Sequence, residues 1–196
     1  MKRFLFFLAV LAGASSLSAQ SKKKIKELKI KSMTETTVLY RDGKETANYK
    51  SEYKTFDKDG NTITDIEYFQ DGSVRRKETN KYDGKDKTEE IVENNSSGND
   101  DDNDGPRKYH RTTWQYNNKG DKTEEVEYDA SGKVIKKTTF GYSNSGDRMY
   151  ELVYDGSGKM LKKTVYGYGT KGLRSEKKIY GPGEVLVRHV KYTYTY

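Results

Sequence analysis

Two histidines, His110 and His189, and no cysteine define the nucleophile and soft-metal chemistry open to this chain of 196 residues. A thiol nucleophile is excluded, and a His-rich zinc site lacks its ligands. The serines cluster in turns, with no G-x-S-x-G elbow. The paired carboxylates Glu89–Glu90 and Glu124–Glu125 are adjacent in strand-like sequence, so they point to opposite faces and cannot act as a glycosidase pair. The residues predict no enzyme. One metal-like motif stands out: Asp100-x-Asp102-x-Asp104-Gly105 copies the start of a calcium loop. Its twelfth position is Arg111, where a bidentate glutamate is needed. The loop therefore reads first as solvated and acidic, with calcium as a weak second reading and no other cofactor expected.

A second constellation is aromatic. Trp114, Tyr116, Phe140, Tyr142, Tyr166 and Tyr168 fall on one face near one end if the strands between the turns pair as hairpins. Such a band binds sugar rings or stacked ligands when exposed. It equally serves as cross-strand packing with the tyrosine hydroxyls kept wet, and this structural role is the first expectation.

These residues are carried by a repeat. Asp129 to Tyr154 and Asp155 to Tyr180 are two consecutive copies of a 26-residue unit that agree at 12 positions. Turn residues and aromatics are what persist. An aromatic stands four residues before a glycine at Phe56–Gly60, Tyr116–Gly120, Tyr128–Gly132, Tyr142–Gly146, Tyr154–Gly158 and Tyr168–Gly172. Asp, Asn and Ser fill the gaps, as hairpin loops require. Between the turns the sequence alternates and is rich in Thr, Val, Ile and Tyr. The fold class predicted is all-β: an antiparallel meander of repeated hairpins, in an extended single-layer sheet that twists or curls. A thin β-sandwich is the alternative.

Residues 1–19 read as a signal peptide. Lys2 and Arg3 precede an apolar run, Phe4 to Ala14, too short to span a bilayer, and cleavage is expected after Ala19. The protein is therefore expected to be secreted or periplasmic. Residues 20–196 are expected to form one β-repeat domain with a long acidic loop at 94–107, and no second apolar run approaches a membrane span. Formal charge is +7, and it falls to +5 once Lys2 and Arg3 are removed. The 37 bases are interspersed with 30 acids, so no basic face for nucleic acid forms.

Only 26 Val, Ile, Leu and Met follow residue 19, a thin supply for a core, against 17 tyrosines. If each four-residue turn is closed by its flanking residues, Glu125 faces Lys136, Glu124 faces Lys137 and Glu151 faces Lys162. The last strand, Glu184 to Tyr196, ends alternating and uncharged. An unprotected edge of that kind pairs with a second copy, a partner strand, or the first strand of a curled sheet.

Tyr128-Asp129-x-x-Gly132-Lys133 and Tyr154-Asp155-x-x-Gly158-Lys159 resemble the YD repeats of RHS-type bacterial surface and toxin-shell proteins, over residues 116–183. The resemblance implies a secreted β-repeat scaffold and carries over no catalytic residue. The reading is a non-enzymatic structural or protein-interaction module of the bacterial envelope. A carbohydrate-binding module using the aromatic band is the alternative, so the expected partner is a protein or glycan of the envelope.

Overall fold

The computed structural model describes residues 22–83, 86–95 and 111–196. The signal segment, Asp100, Asp102, Asp104 and His110 lie outside them. A short helix, α1 (Lys22–Glu27), precedes twelve strands. These are β1 (Ser32–Arg41), β2 (Lys44–Phe56), β3 (Thr62–Tyr68), β4 (Val74–Asp83), β5 (Asp86–Asn94) and β6 (Arg111–Tyr116). They continue with β7 (Lys122–Tyr128), β8 (Val134–Tyr142), β9 (Arg148–Asp155), β10 (Met160–Tyr168), β11 (Arg174–Tyr180) and β12 (Leu186–Thr195). All belong to one antiparallel sheet in the order β5-β4-β3-β2-β1-β12-β11-β10-β9-β8-β7-β6. The all-β meander is borne out, and the sandwich alternative is not.

The order is that of an up-and-down barrel with one seam left open. Every strand pairs with its neighbours in sequence, and β1 pairs with β12, except that β5 and β6 do not meet. The C-terminal strand is therefore an interior strand, with Met33 opposite Tyr194 and Thr37 opposite Val190. Of the partners expected for that strand, the first strand of a curled sheet is the one it has. Among the described residues the open edges are β5 and β6.

The curl follows from α1. Lys26 Nζ lies 2.8 Å from Asp59 Oδ1 in the β2–β3 turn, and Lys24 Nζ lies 3.2 Å from Asp147 Oδ1 beyond the β8–β9 turn. Six strand spacings separate those turns, about 29 Å in a flat sheet. Two lysines in one helical turn reach both only because that end of the sheet is drawn in. Ile25, Ile30 and Leu173 bury together under the helix, with Leu28, Phe56 and Tyr194 against them. Beside them lies a second cluster of Met33, Val190 and Tyr192.

Curling gives the sheet an inner and an outer face. Register places the buried residues Met33, Thr37, Lys54, Asp65, Asn80, Thr138, Val153, Thr164, Tyr166, Arg174, Val190 and Tyr192 on the inner face. The outer face carries Lys77, Lys137, Lys163, Lys178 and Lys191, each set opposite a residue of that same face.

The hairpin register differs from expectation by two residues. Asp155 N donates to Lys159 O, so the turn closes one pair earlier than counted. Tyr154 then pairs with Met160, and a bulge at Leu161 places Val153 opposite Lys162 and Glu151 opposite Thr164. Two one-residue shifts restore the original face, so Lys162 Nζ still reaches Glu151 Oε1 at 3.3 Å, diagonally. The same double shift sets Glu125 opposite Thr138, and Glu124 opposite Thr139. Lys137 nevertheless pairs with Glu124 at 2.6 Å.

Candidate functional site

The loops set the frame. Asp155 Oδ1 accepts from Ser157 N at 2.9 Å and Lys159 N at 3.0 Å, while Gly158 takes φ +85°. Asp129 caps Ser131 N and Lys133 N in the same way, with Gly132 at φ +83°. The Asx cap and the left-handed glycine are what this loop type selects in any hairpin.

Held between such loops, the six expected aromatics do share the inner face, near the end closed by α1. The structure adds Tyr192 and Tyr194 to the band, and the cations between its members. Across successive strands the order is Trp114, Lys122, Phe140, Arg148, Tyr166, Arg174 and Tyr192. Lys122 Nζ is 5.3 Å from the Phe140 centroid, and the Arg148 guanidinium is 4.6 Å from the same ring. Arg174 lies 4.4 Å from Tyr166 and 6.0 Å from Tyr192. Each cation over a ring face contributes about 0.5–1 kcal/mol, more when desolvated. The period behind this ladder is again 26 residues: Phe140, Tyr166, Tyr192 and Lys122, Arg148, Arg174. That spacing was in the sequence, but it becomes a signal only once Lys122 is counted as a repeat position.

The second aromatic of each pair is pinned by its hydroxyl. Tyr142 Oη donates to Lys122 O at 2.8 Å, Tyr168 Oη to Arg148 O at 2.7 Å, and Tyr194 Oη to Arg174 O at 2.9 Å. Gly141 and Gly167 stand between the aromatics of β8 and β10 and make room for their cross-strand partners. A Cβ at Gly141 would fall 2.1 Å from the Tyr150 ring, and one at Gly167 2.6 Å from Glu176 Cγ.

The band is thus graded. Tyr166 is buried, Phe140, Tyr142 and Tyr168 are half-buried, and Trp114 and Tyr116 on β6 are 53% and 60% exposed. Only the last two offer a free surface. Trp114 Nε1 donates to Glu125 Oε2 at 3.2 Å, and Lys122 Nζ holds that same oxygen at 2.6 Å.

The opposite wall of the inner face is ionic. Lys54 Nζ sits 2.6 Å from Asp65 Oδ2 and 3.0 Å from Glu52 Oε1. Burial pulls the Lys54 pKa down, but Glu52 and Asp65 outweigh it and leave it raised. Burial pushes the Glu52 carboxyl up to about 7 despite Lys54, and the negative charge of Asp65 and Glu35 adds to the rise. Lys54 is thus held between two carboxylates, and burial raises the pKa of one of them, Glu52. Among the described residues no set of His, Asp and Glu is arranged to hold a metal ion. His189 instead pairs with Glu176 at 2.9 Å on the outer face.

The two edges contrast. β5 is exposed throughout and carries Asp86, Lys87, Glu89, Glu90 and Glu93. β6 carries one charge, Arg111 at its start, and then Thr112, Thr113, Trp114, Gln115 and Tyr116.

No family model matches the chain, and no curated protein matches its sequence. Solved structures resemble it in outline. A DUF1329 family protein from Desulfovibrio piger is 14% identical, with 89% of each chain covered and a TM-score of 0.40. A LolA superfamily protein from Nitrosomonas europaea is 13% identical, covering 89% of this chain and 91% of its own, with a TM-score of 0.37. A domain from Vibrio parahaemolyticus, described as an outer membrane lipoprotein-sorting protein, is 14% identical over 90% of each chain at a TM-score of 0.41. Likeness this distant carries no argument about function. The YD-repeat resemblance over residues 116–183 is corrected by the family comparison, in which no model of that kind matches the chain. The physical reason lies in the loops. Tyr-Asp-x-x-Gly-Lys spells an Asp-capped turn with a left-handed glycine, a geometry rather than a lineage.

Proposed function

We propose that the protein is an exported, non-enzymatic interaction module of the bacterial envelope that receives a partner's β-strand along β6. The observation that carries this is the asymmetry of the seam. A sheet edge presents unpaired N–H and C=O groups that template another strand, and proteins blunt such edges with charge. β5 is blunted by five charged side chains; β6 is neutral after Arg111 and displays the two most exposed aromatics of the band. Strand addition takes affinity from the backbone and specificity from alternate side chains, and Trp114 and Tyr116 are those side chains. The test is a photo-reactive residue in place of Thr113, compared with one in place of Glu89, in cells exporting the protein. Cross-linking to polypeptide from position 113 but not 89 supports strand addition. Equal cross-linking from both positions, or none from 113, overturns it.

A glycan reading rests on the same two exposed rings. It uses only Trp114 and Tyr116, because the cations and carbonyls described above already occupy the inner four members. Trp114 is the only tryptophan, so its fluorescence reports a titration with oligosaccharides directly. A saturable shift favours the glycan.

A further inference from the structure

We infer that the strand received by β6 is β6 of a second copy, so that the protein is a two-fold dimer joined along its open seam. The inference rests on β6 being the interacting edge and names its partner from charge and register.

Charge leaves one symmetric pairing. Two β5 strands laid antiparallel would gather Asp86, Glu89, Glu90 and Glu93 of both copies along one seam, with one lysine, Lys87, per strand to offset them. Like charges directly opposite are destabilising. A β6-to-β5 contact is head-to-tail: it leaves a free β5 and a free β6 at its ends, and closes only as a ring of copies or else propagates as an open chain. Pairing β6 with β6 closes.

Register supports it. Within the chain Trp114 faces Glu125 on the inner side and Thr113 faces Val126 on the outer side. An antiparallel two-fold centred on Trp114 sets Trp114 of one copy against Trp114 of the other, Thr113 against Gln115 and Thr112 against Tyr116. Every inner-face residue then meets an inner-face residue, so the two curled sheets join without inverting. The pairing covers Trp114 and Tyr116, 53% and 60% exposed in the single chain, and no charged residue opposes a like charge. Cross-strand aromatic pairs are among the stabilising pairs of antiparallel sheets.

The experiment uses the full mature chain and two charged variants, T113K/Q115K and T113E/Q115E. Positions 113 and 115 face each other across the proposed two-fold, and both lie at the solvent edge. Circular dichroism establishes that each variant keeps its strand content. By sedimentation across a dilution series the native chain is expected as a dimer that dissociates, with Trp114 emission moving to longer wavelength as it does. Each variant alone is expected as a monomer, and an equal mixture is expected to recover the dimer, because lysine then opposes glutamate. A native chain that is monomeric throughout overturns the inference, as does a mixture that behaves like its separate components. If the native chain is monomeric while position 113 still cross-links to other polypeptides in cells, self-pairing fails and strand addition stands. If position 113 cross-links to nothing, both fail.

Discussion

The Tyr168 hydroxyl donates to the Arg148 carbonyl oxygen at 2.7 Å, and the same bond recurs 26 residues away on either side, Tyr142 to Lys122 and Tyr194 to Arg174. Each bond ties the end of one strand to the start of the adjacent strand that precedes it in sequence. The cation at each anchoring residue simultaneously covers a ring of the same band. Three turns of one device thus hold the closed end of the sheet from β7 to β12, where aliphatic side chains are scarce.

Replacing Tyr168 with Phe removes the hydroxyl and leaves the Arg148 carbonyl short of one partner. A loss of about 1 kcal/mol is expected in chemical denaturation. A variant as stable as the native chain would show that water replaces the bond at no cost.

Glu52 makes stability depend on pH. Its folded pKa of about 7 lies above the ordinary value of 4.5. Between those values the folded state holds a proton that the unfolded state has released, so stability is fully present below about 4.5 and falls as pH rises through 7. The swing is at most roughly 3 kcal/mol. Denaturant midpoints measured from pH 4.5 to 8 are expected to fall in the native chain and to flatten in Glu52→Gln. Equal slopes in the two proteins would assign the dependence elsewhere.

Two loop glycines with the same backbone sign separate conformational strain from contact. Gly132 has φ +83° with open space around a notional Cβ, whereas Gly60 has φ +78° and a Cβ there would lie 2.5 Å from the Lys22 carbonyl oxygen. Gly132→Ala is expected to cost about 1 kcal/mol. Gly60→Ala is expected to cost about 1–3 kcal/mol beyond that, because α1 must shift. Equal costs would mean that α1 does not press on the β2–β3 turn.

Ile25 is the buried side chain of α1, 5% exposed and packed on Ile30 and Leu173. Ile25→Ala is expected to destabilise the chain by about 2–5 kcal/mol. Amide exchange should accelerate at Phe56, whose N–H bonds the Lys31 carbonyl beside the helix. Unchanged protection there would uncouple the helix from the closure of the sheet.

Local chemistry is what the sequence determined alone. Asp, Asn and glycine in the loops, with alternating Thr, Val and Tyr between them, dictate hairpins, and the repeat dictates that they follow one another. The aromatic band was legible because side chains two apart share a face whatever the partner strand. Tertiary structure decided everything that depends on which strands meet at a distance. The pairing of β1 with β12, by Met33 with Tyr194, turned an expected free edge into the middle of the sheet and moved the open edge to β6. The register needed the bulge at Leu161, which no residue type announces, and it kept Lys162 with Glu151 only because a second shift cancelled the first. Lys54, Glu52 and Asp65 carry no sequence mark of burial, since alternating charges look the same on a wetted strand as on the inside of a curl. The curl is set by contacts such as Lys24 with Asp147, 123 residues apart, and no local preference specifies contacts at that distance.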